Sequence, residues 1–380
     1  MTTHDLICHR ETSKQIDVAI LDFSKAFDTV PHQRLLGKLE LYGISGEVHS
    51  WIKSFLVSRT QSVIVDGKRS KEEQVISGVP QGTVLGPLLF LLHINDLPSV
   101  VHPDTRCRLF ADDCLLYRPI NSIEDQLTLQ KDLKNLEIWA DSWGMRFNAS
   151  KCYIMSISRG HNQISHMYEL CGTFLGGVAE EKYLGVLISH DLSWSPHITK
   201  LATTANQKLG FLTRNLRGCP KELRKTAYVT VVRSSLDCVS TVWDPHLIKD
   251  KLALEKIQRK AARWITGKYQ RQASVTSMLG SLGLEPLEER RRVARLVLLY
   301  KILREEVAIP SEELGLYKNP RATRGLATTD KLLVPSRKTT ERSTHCVAKT
   351  IPEWNRLLES TTSADSVESF KSRLVGVRQP

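Results

Sequence analysis

The sequence lacks the features that mark membrane, secreted and zinc-binding proteins. No apolar run approaches the roughly 20 residues that a membrane-spanning helix needs, and the longest, at 84–92, is interrupted by Gly86 and Pro87. The N-terminus has no apolar segment of the secretory type. None of the eight cysteines belongs to a CxxC pair or precedes a histidine at zinc-finger spacing. We therefore expect an intracellular protein, in the nucleus, the cytoplasm or both, whose cysteines are reduced and structural.

Charge is divided unevenly along the chain. Residues 1–199 contain 19 Lys and Arg against 23 Asp and Glu, whereas residues 200–380 contain 34 against 18. A nearly neutral half followed by a strongly basic half favours one lobe for chemistry and one for a polyanion. Composition alone leaves open the alternative that the basic residues form an ordinary solvated surface.

The first half alternates short apolar strands with amphipathic helices. Strands are expected where apolar runs are short and continuous, at 18–21, 107–111, 114–117, 152–157 and 183–188. Helices are expected where apolar residues recur at helical spacing, at 31–42, 48–56, 84–92 and 122–143. The pair Asp66-Gly67 is typical of a hairpin turn, and Ser122 with Asp125 is typical of a helix capping box. This half is therefore predicted to be an α+β lobe.

The chain becomes helical from about residue 196. Within 250–266 one face is apolar, and cations recur at i, i+3, i+4 and i+7 on the opposite face: Lys256, Arg259, Lys260 and Arg263. Such a helix suits docking along a phosphate backbone, and a solvated basic face is the alternative. Residues 311–380 are polar, with one helix expected near 366–374, and receive no functional assignment.

Three acidic residues stand where strands end. Asp22 follows the apolar run 18–21, and Asp112 and Asp113 occupy the tip of a predicted hairpin. Carboxylates at the ends of apolar strands are costly unless a positive charge compensates them. If the strands are neighbours, a divalent metal is the natural partner, because Mg²⁺ prefers oxygen ligands. Taken singly, each Asp has an ordinary explanation as a turn or capping residue.

Five motifs occur together in one order along the chain: LDFSKAFDTV (21–30), SGVPQGTVLGPLLF (77–90), FADDCLLY (110–117), NASK (148–151) and YLGV (183–186). This set resembles palm motifs A to E of reverse transcriptases, in the form found in non-LTR (LINE-type) retrotransposons. The segment VWDPH (242–246) and the basic helices also resemble the thumb of these elements. The resemblance covers at least residues 15–190.

The resemblance implies a domain organisation and an activity. It implies a polymerase palm, an antiparallel sheet with packed helices, at 1–195 and a mainly helical basic thumb at 196–310, followed by a polar extension at 311–380. The implied activity is RNA-directed DNA polymerisation with two Mg²⁺ ions, which Mn²⁺ can replace. The partners would be an RNA template, a DNA primer and dNTPs.

The same resemblance gives roles to the carboxylates and their neighbours. Asp22 and Asp112 would be the main ligands of both metal ions, Asp113 would assist, and the backbone carbonyl of Phe23 would add a ligand. Lys151 would protonate the pyrophosphate leaving group as a general acid.

A second group of residues would contact the nucleotide. Phe27 would exclude a 2′-OH by its bulk and so favour dNTPs, with an ordinary helix-core role as the alternative. Gln81 and Gly82 would contact the incoming nucleotide and template, and Gly78 and Gly82 would allow close backbone approach to a nucleotide. For Asp28 we expect helix capping rather than metal binding.

The family also carries a fingers subdomain ahead of motif A, whereas roughly 15 to 20 residues precede the strand that leads to Asp22 here. Two further hypotheses therefore stand beside polymerisation of DNA. One is a truncated, catalytically inert retrotransposon remnant that only binds nucleic acid. The other is an RNA-dependent RNA polymerase, which fits poorly with the FADD motif and with Phe27.

Overall fold

The computed structural model describes residues 1–158, 164–317, 331–334 and 346–376. The chain divides into two compact units, residues 12–184 and residues 1–11 with 185–380. The described elements mix a sheet with many helices, and this confirms the predicted α+β class. No helix among them has both the length and the apolar character to cross a membrane.

Among its described residues, the unit 12–184 contains five α-helices and twelve strands. Its helices are α2 (Ala26–Thr29), α3 (His32–Leu41), α4 (Gly46–Leu56), α5 (Leu85–Ile94) and α6 (Ile123–Trp143), preceded in the chain by α1 (Thr2–Thr12). Its strands are β1 (Gln15–Leu21), β2 (Thr60–Gln61), β3 (Ile64–Val65), β4 (Lys68–Arg69), β5 (Glu73–Gln74), β6 (Arg106–Phe110), β7 (Asp113–Ile120), β8 (Tyr153–Ser158), β9 (Glu169–Leu170), β10 (Thr173–Phe174), β11 (Gly176–Gly177) and β12 (Glu180–Tyr183).

The main sheet of this unit has five strands in the order β11-β8-β1-β7-β6. Strand β1 is almost entirely buried because it lies between β7 and β8, and its continuous apolar sequence suits that position. All neighbouring pairs are antiparallel except β11 with β8, which are parallel. The sheet is therefore antiparallel as expected, apart from its edge strand β11, which runs parallel to β8.

Local sequence signals account well for the elements around the sheet. Helix α6 begins at the predicted capping box, where the Asp125 carboxylate accepts from the Ser122 N–H, and ends at Gly144 in the left-handed region. Asp66 and Gly67 both have positive φ and join β3 to β4, as the hairpin prediction requires. Strand β3 pairs with β4 across this turn, and β2 pairs with β5 beyond it.

The unit formed by residues 1–11 and 185–380 is mainly helical. After β13 (Val186–Ser189) it contains α7 (Ser195–Asn215), α8 (Lys221–Ala227), a π-helix (Tyr228–Arg233), α9 (Ser234–Asp237), α10 (Ser240–Trp243), α11 (Ile248–Thr266), α12 (Val275–Leu282), α13 (Leu287–Leu303), α14 (Cys346–Asn355), α15 (Glu359–Thr362) and α16 (Val367–Gly376). One apolar core joins α7, α11 and α12. A second joins α13 to α14 and α16.

A buried carboxylate, Asp244 of the VWDPH segment, connects three cations in this unit. It accepts from Arg291 Nε at 2.8 Å, lies 3.0 Å from Arg295 Nε and pairs with Lys349. Burial alone would raise the pKa of Asp244, but Arg295, Lys349 and Arg291 outweigh it and the pKa is lowered. The arginine side chains are almost wholly buried, so Asp244, together with Glu353 beside Arg295, supplies the negative charge that makes their burial tolerable.

None of the eight cysteines forms a disulfide, as expected for reduced thiols. Cys114 and Cys152 are buried, whereas Cys171 and Cys238 are exposed. The expectation that all eight are structural therefore does not describe these two exposed thiols.

We predict that Asp244→Asn lowers the free energy of unfolding at pH 7 by about 3–5 kcal/mol, because it leaves the buried Arg291 guanidinium without a counter-charge. Urea denaturation measures this. Since the folded pKa of Asp244 is depressed, its stabilisation is present above its unfolded pKa and is lost as pH falls through the folded pKa. The difference in free energy of unfolding between the wild type and the variant should therefore become smaller below about pH 4.

Glu289→Gln is the matched control, because its partner Arg292 lies three residues away on the same helix and the carboxylate is 41% exposed. A surface pair of this kind is worth about 0–1 kcal/mol. Equal losses in the two variants would contradict a central role for Asp244.

Candidate active site

Asp22 and Asp113 are brought together by the pairing of β1 with β7. Leu21, the last residue of β1, pairs with Cys114 in this antiparallel ladder. Asp22 follows Leu21 and Asp113 precedes Cys114, so the two carboxylates leave adjacent strands at the same edge of the sheet. A shift of one residue would turn the side chains of one strand to the opposite face.

Asp112 lies in the two-residue turn between β6 and β7. Phe110 pairs with Asp113, which leaves Ala111 and Asp112 as the turn residues. Ala111 has φ +50°, a left-handed conformation that costs a residue with a Cβ about 1–2 kcal/mol. The pairing of the flanking strands maintains this strained turn and holds Asp112 at its tip.

The three carboxylates share one electrostatic field. The pKa of Asp113 is raised, first by burial and then by the negative charges of Asp112 and Asp22. A cation bound among them would relieve this repulsion, and a donor set made only of oxygens fits Mg²⁺. Within the described ranges, no three His, Cys, Asp or Glu side chains are gathered closely enough to form a ready-made metal cluster. The three carboxylates are therefore close enough to influence one another electrostatically, but their side chains are not arranged to hold a metal ion as they stand.

Lys151 reaches the same edge from the motif D segment. The backbone of this segment is tied to motif A, since Asn148 N–H donates to the Asp22 carbonyl at 2.8 Å. Lys151 Nζ lies 3.7 Å from Asp22 Oδ2, and its side chain is 67% exposed. An exposed pair of this kind is weak, so the lysine can exchange Asp22 for another anion without a large cost.

The side chain of Phe23 packs in the core beside Asp22. Its ring is buried and stacks on Phe147 with centroids 4.3 Å apart. The backbone bridge between these two residues uses the carbonyl of Asp22 and the N–H of Ser24. The Phe23 carbonyl takes no part in that bridge, which is compatible with the ligand role expected for it.

Phe27 lies on α2, and the motif B loop is hydrogen-bonded to the backbone around it. Val79 N–H donates to the Phe27 carbonyl and Gly78 N–H donates to the Val30 carbonyl, each at 2.8 Å. His32, which is buried, completes the link with Nε2 at 2.8 Å from the Gly78 carbonyl. Motifs A and B thus form one continuous hydrogen-bonded surface.

The expectation that Asp28 caps a helix is wrong. The residue at the N-cap of α3 is Pro31, and the Asp28 carboxylate instead accepts from Gln81 Nε2 at 2.9 Å. Asp28 and Gln81 are both exposed, so this bond orients the Gln81 amide at the surface. Gly82, next to it, is exposed with φ +77° and open space around its Cα.

Gly78 makes a close approach to protein backbone. A Cβ built on it would lie 2.8 Å from the Asp28 carbonyl oxygen and 2.9 Å from the Asp28 Cα, and its φ is +88°. The contact with Asp28 by itself requires a glycine at this position, and the expected close approach of a nucleotide stays a prediction. The absence of a side chain lets the motif B loop lie directly on motif A.

Helix α11 carries the predicted cationic row. Lys256, Arg259 and Lys260 are exposed and Arg263 is half-buried. The opposite face is buried, as its apolar sequence predicts: Leu254, Ile257, Ala261, Trp264 and Ile265. These cations belong to the unit that contains residues 185–380, and their role in nucleic-acid binding stays a prediction.

Sequence reasoning missed three residues that support this edge. Phe90 stacks on Phe27, His32 holds the Gly78 carbonyl, and the Cys152 thiol lies 3.4 Å from the Asp22 N–H. All three lie in or beside the motifs, yet their partners are far away in the sequence. No local pattern could have revealed those pairs.

We predict that Gly78→Ala is more destabilising than Gly82→Ala. Both variants put a side chain at a positive φ, which costs about 1–2 kcal/mol. Only Gly78→Ala also meets backbone atoms within 3.0 Å, and this overpacking adds about 1–3 kcal/mol. Urea denaturation of the two variants compares them directly. Equal losses would show that the contact with Asp28 does not constrain position 78.

The chain was compared with known families and proteins. Residues 2–188 match the family model of reverse transcriptases (RNA-dependent DNA polymerases). The RNA-directed DNA polymerase of the mobile element jockey from Drosophila melanogaster is 30% identical over 263 residues, which is 66% of this chain and 28% of that protein. The probable RNA-directed DNA polymerase of the transposon X-element from the same organism is 28% identical, over 65% of this chain and 28% of that protein.

Among solved structures, apo telomerase from Candida tropicalis covers 82% of this chain and 54% of its own, with 10% identity and a TM-score of 0.43. Telomerase from Candida albicans in complex with a fragment of telomeric RNA has 13% identity and a TM-score of 0.39, over 82% of this chain and 50% of its own. The family model and the mobile-element relatives confirm the resemblance carried by the five motifs. Residues 2–188 therefore belong to the reverse transcriptase family, and the relatives that the chain resembles are of the kind that non-LTR retrotransposons encode.

Proposed function

We propose that this chain is the palm and thumb of an RNA-directed DNA polymerase, which extends a primer 3′-OH with dNTPs on an RNA template. The observation that carries this proposal is the convergence of Asp22, Asp112 and Asp113 at one edge of the sheet. The chain spans about a quarter of the length of the mobile-element polymerases that it matches. The activity, substrates and partners of the whole protein are therefore part of the proposal.

The carboxylates are the proposed metal ligands. Asp22 and Asp112 would hold two Mg²⁺ or Mn²⁺ ions, with Asp113 assisting and the Phe23 carbonyl as a further ligand. When bound, such ions activate the attacking hydroxyl and neutralise charge on the leaving group. The pKa of Asp113 is raised first by burial and then by the charges of Asp112 and Asp22, and this repulsion supports the assignment because a bound cation would relieve it.

Phe27, Gln81 and Gly82 form the proposed nucleotide surface. Phe27 is half-buried on α2 and would meet the 2′ position of the incoming sugar, so that a ribose clashes and a deoxyribose fits. Gln81, oriented by Asp28, would donate or accept hydrogen bonds beside it. The open space around Gly82 leaves room for a nucleotide or template backbone.

Lys151 is the proposed general acid. Its weak, exposed pairing with Asp22 keeps the ammonium beside the carboxylates, from where it can turn toward a pyrophosphate oxygen. General-acid catalysis by a positioned side chain contributes about 10²–10⁴-fold to a rate. Lys151→Ala should lose a factor in that range while the carboxylates stay intact.

We predict that the recombinant chain extends a DNA primer on an RNA template in the presence of dNTPs and Mg²⁺, and that Asp112→Asn abolishes extension. Asp104→Asn is the matched control, since Asp104 is an exposed carboxylate in the loop before β6. In a parallel measurement, Mg²⁺ should raise the Tm of wild type more than that of Asp112→Asn. Extension that persists in Asp112→Asn would refute the assignment of the site.

A second candidate function is nucleic-acid binding without polymerisation. The cationic row of α11 favours it, because three of its four members are exposed opposite a fully buried stripe. In this case the carboxylate edge would be a relic of the fold and would bind no nucleotide.

The α11 row predicts a salt-dependent affinity for an RNA–DNA duplex. Replacing Lys260 by Ala should reduce the slope of log affinity against log salt by about 0.7–0.9, the value expected for one phosphate contact. Lys371→Ala on α16 is the control, being another exposed lysine of the same unit. Filter binding over a salt series measures both. A slope unchanged in Lys260→Ala would remove α11 from the interface, and binding without extension would favour the second function.

A further inference from the structure

The helix that carries Phe27 is too short to fix the ring of Phe27 by itself. Helix α2 has four residues, and Lys25 ahead of it has φ +50°. A single turn of helix gains little from its own hydrogen bonds. The position of the ring must therefore be set by what it packs against.

The partner of Phe27 is Phe90 on α5. The two rings stack with centroids 4.4 Å apart and an interplanar angle of 22°. Phe90 is fully buried, while Phe27 is half-buried. One ring of the pair is thus fixed in the core and the other is presented at the candidate nucleotide surface.

Phe90 itself has little freedom to retreat, because both ends of α5 are anchored. Near its start, a Cβ on Gly86 would lie 2.2 Å from the Pro80 carbonyl oxygen, which shows how tightly the helix is seated on the motif B loop. At its end, the carbonyl of His93 accepts from Lys38 Nζ at 2.5 Å. That buried ammonium also lies 3.7 Å above the ring of Trp143.

We propose that Phe90 is a positioning residue for sugar discrimination: it holds the ring of Phe27 at the depth at which a 2′-OH is rejected. This inference rests on the proposed function, in which Phe27 meets the sugar of the incoming nucleotide. Phe90 touches no substrate and acts only through Phe27. If the stack is lost, the Phe27 ring can tilt away, and a ribonucleotide then enters more readily.

The test is the ratio of kcat/KM for dATP over ATP in primer extension by the full chain, because these nucleotides differ only at the 2′ position. An aromatic stack is worth about a 2- to 10-fold change in such a ratio, so Phe90→Leu should lower the dATP preference by that factor. In a Phe27→Ala background, which removes the ring being positioned, Phe90→Leu should change the ratio no further. A merely structural role would lower kcat/KM for both nucleotides alike and leave the ratio unchanged.

Phe55→Leu is the matched control. Phe55 belongs to the same unit, and the partner of its ring is Trp51 and not Phe27. This variant should leave the ratio unchanged. If Phe90→Leu does not fold, Phe90→Met keeps more of the buried volume while removing the ring, and its ratio should fall in the same way. Circular dichroism establishes folding of each variant.

The outcomes separate this inference from the proposed function. An active wild type whose ratio is unchanged in the folded Phe90 variant would overturn the role of Phe90 alone. A fall of similar size in the Phe27→Ala background would also overturn it, because the effect would not pass through Phe27. A wild-type chain that fails to extend any primer would refute the proposed function and this inference with it.

Discussion

The register between β1 and β7 is the constraint on which the rest of the candidate site depends. Pairing of Leu21 with Cys114 makes Asp22 a neighbour of Asp113, and the turn of β6–β7 adds Asp112. The sheet brings three like charges together against their repulsion, which adds to the effect of burial in raising the pKa of Asp113. Burial of β1 between two strands supplies the cohesion that opposes this repulsion. A site that stores repulsion in this way sacrifices some stability for its capacity to bind cations.

A second layer of organisation joins motifs A and B. Gly78 lies on the Asp28 backbone, Val79 donates to the Phe27 carbonyl, and Phe90 stacks on Phe27. These contacts involve backbone and buried rings, which are poorly tolerant of change. The exposed groups proposed to meet the nucleotide therefore rest on a rigid foundation. This arrangement is expected where a function depends on position to within a fraction of an ångström.

The unit containing residues 185–380 follows a different principle. Its apolar cores are interrupted by the buried carboxylate of Asp244, which compensates Arg291, Arg295 and Lys349. Other cations of this unit are exposed on the solvent face of α11, among them Lys256, Arg259 and Lys260. The strongly basic composition of this half thus has two different uses. Some charges hold helices together, and others are available for a polyanion.

The sequence by itself determined the α+β class, the elements whose ends carry local signals, and the family. The capping box at Ser122, the stop at Gly144 and the Asp66-Gly67 turn are short-range effects, so each could be predicted from neighbouring residues. The buried stripe of α11 also followed from its spacing. The five motifs led to the proposal of the three carboxylates as metal ligands, because so many side chains in one order are specific even when each is ambiguous.

Tertiary structure decided what those side chains contact. Asp28 was expected to cap a helix and instead orients Gln81, and Gly78 lies against the backbone of Asp28, a contact that its own motif does not predict. Phe27 and Phe90 belong to different motifs, and neither motif by itself predicts that the two rings stack. Local propensities act over a few residues, whereas these contacts join segments separated by dozens of residues. Only the packing of the folded chain brings such segments together.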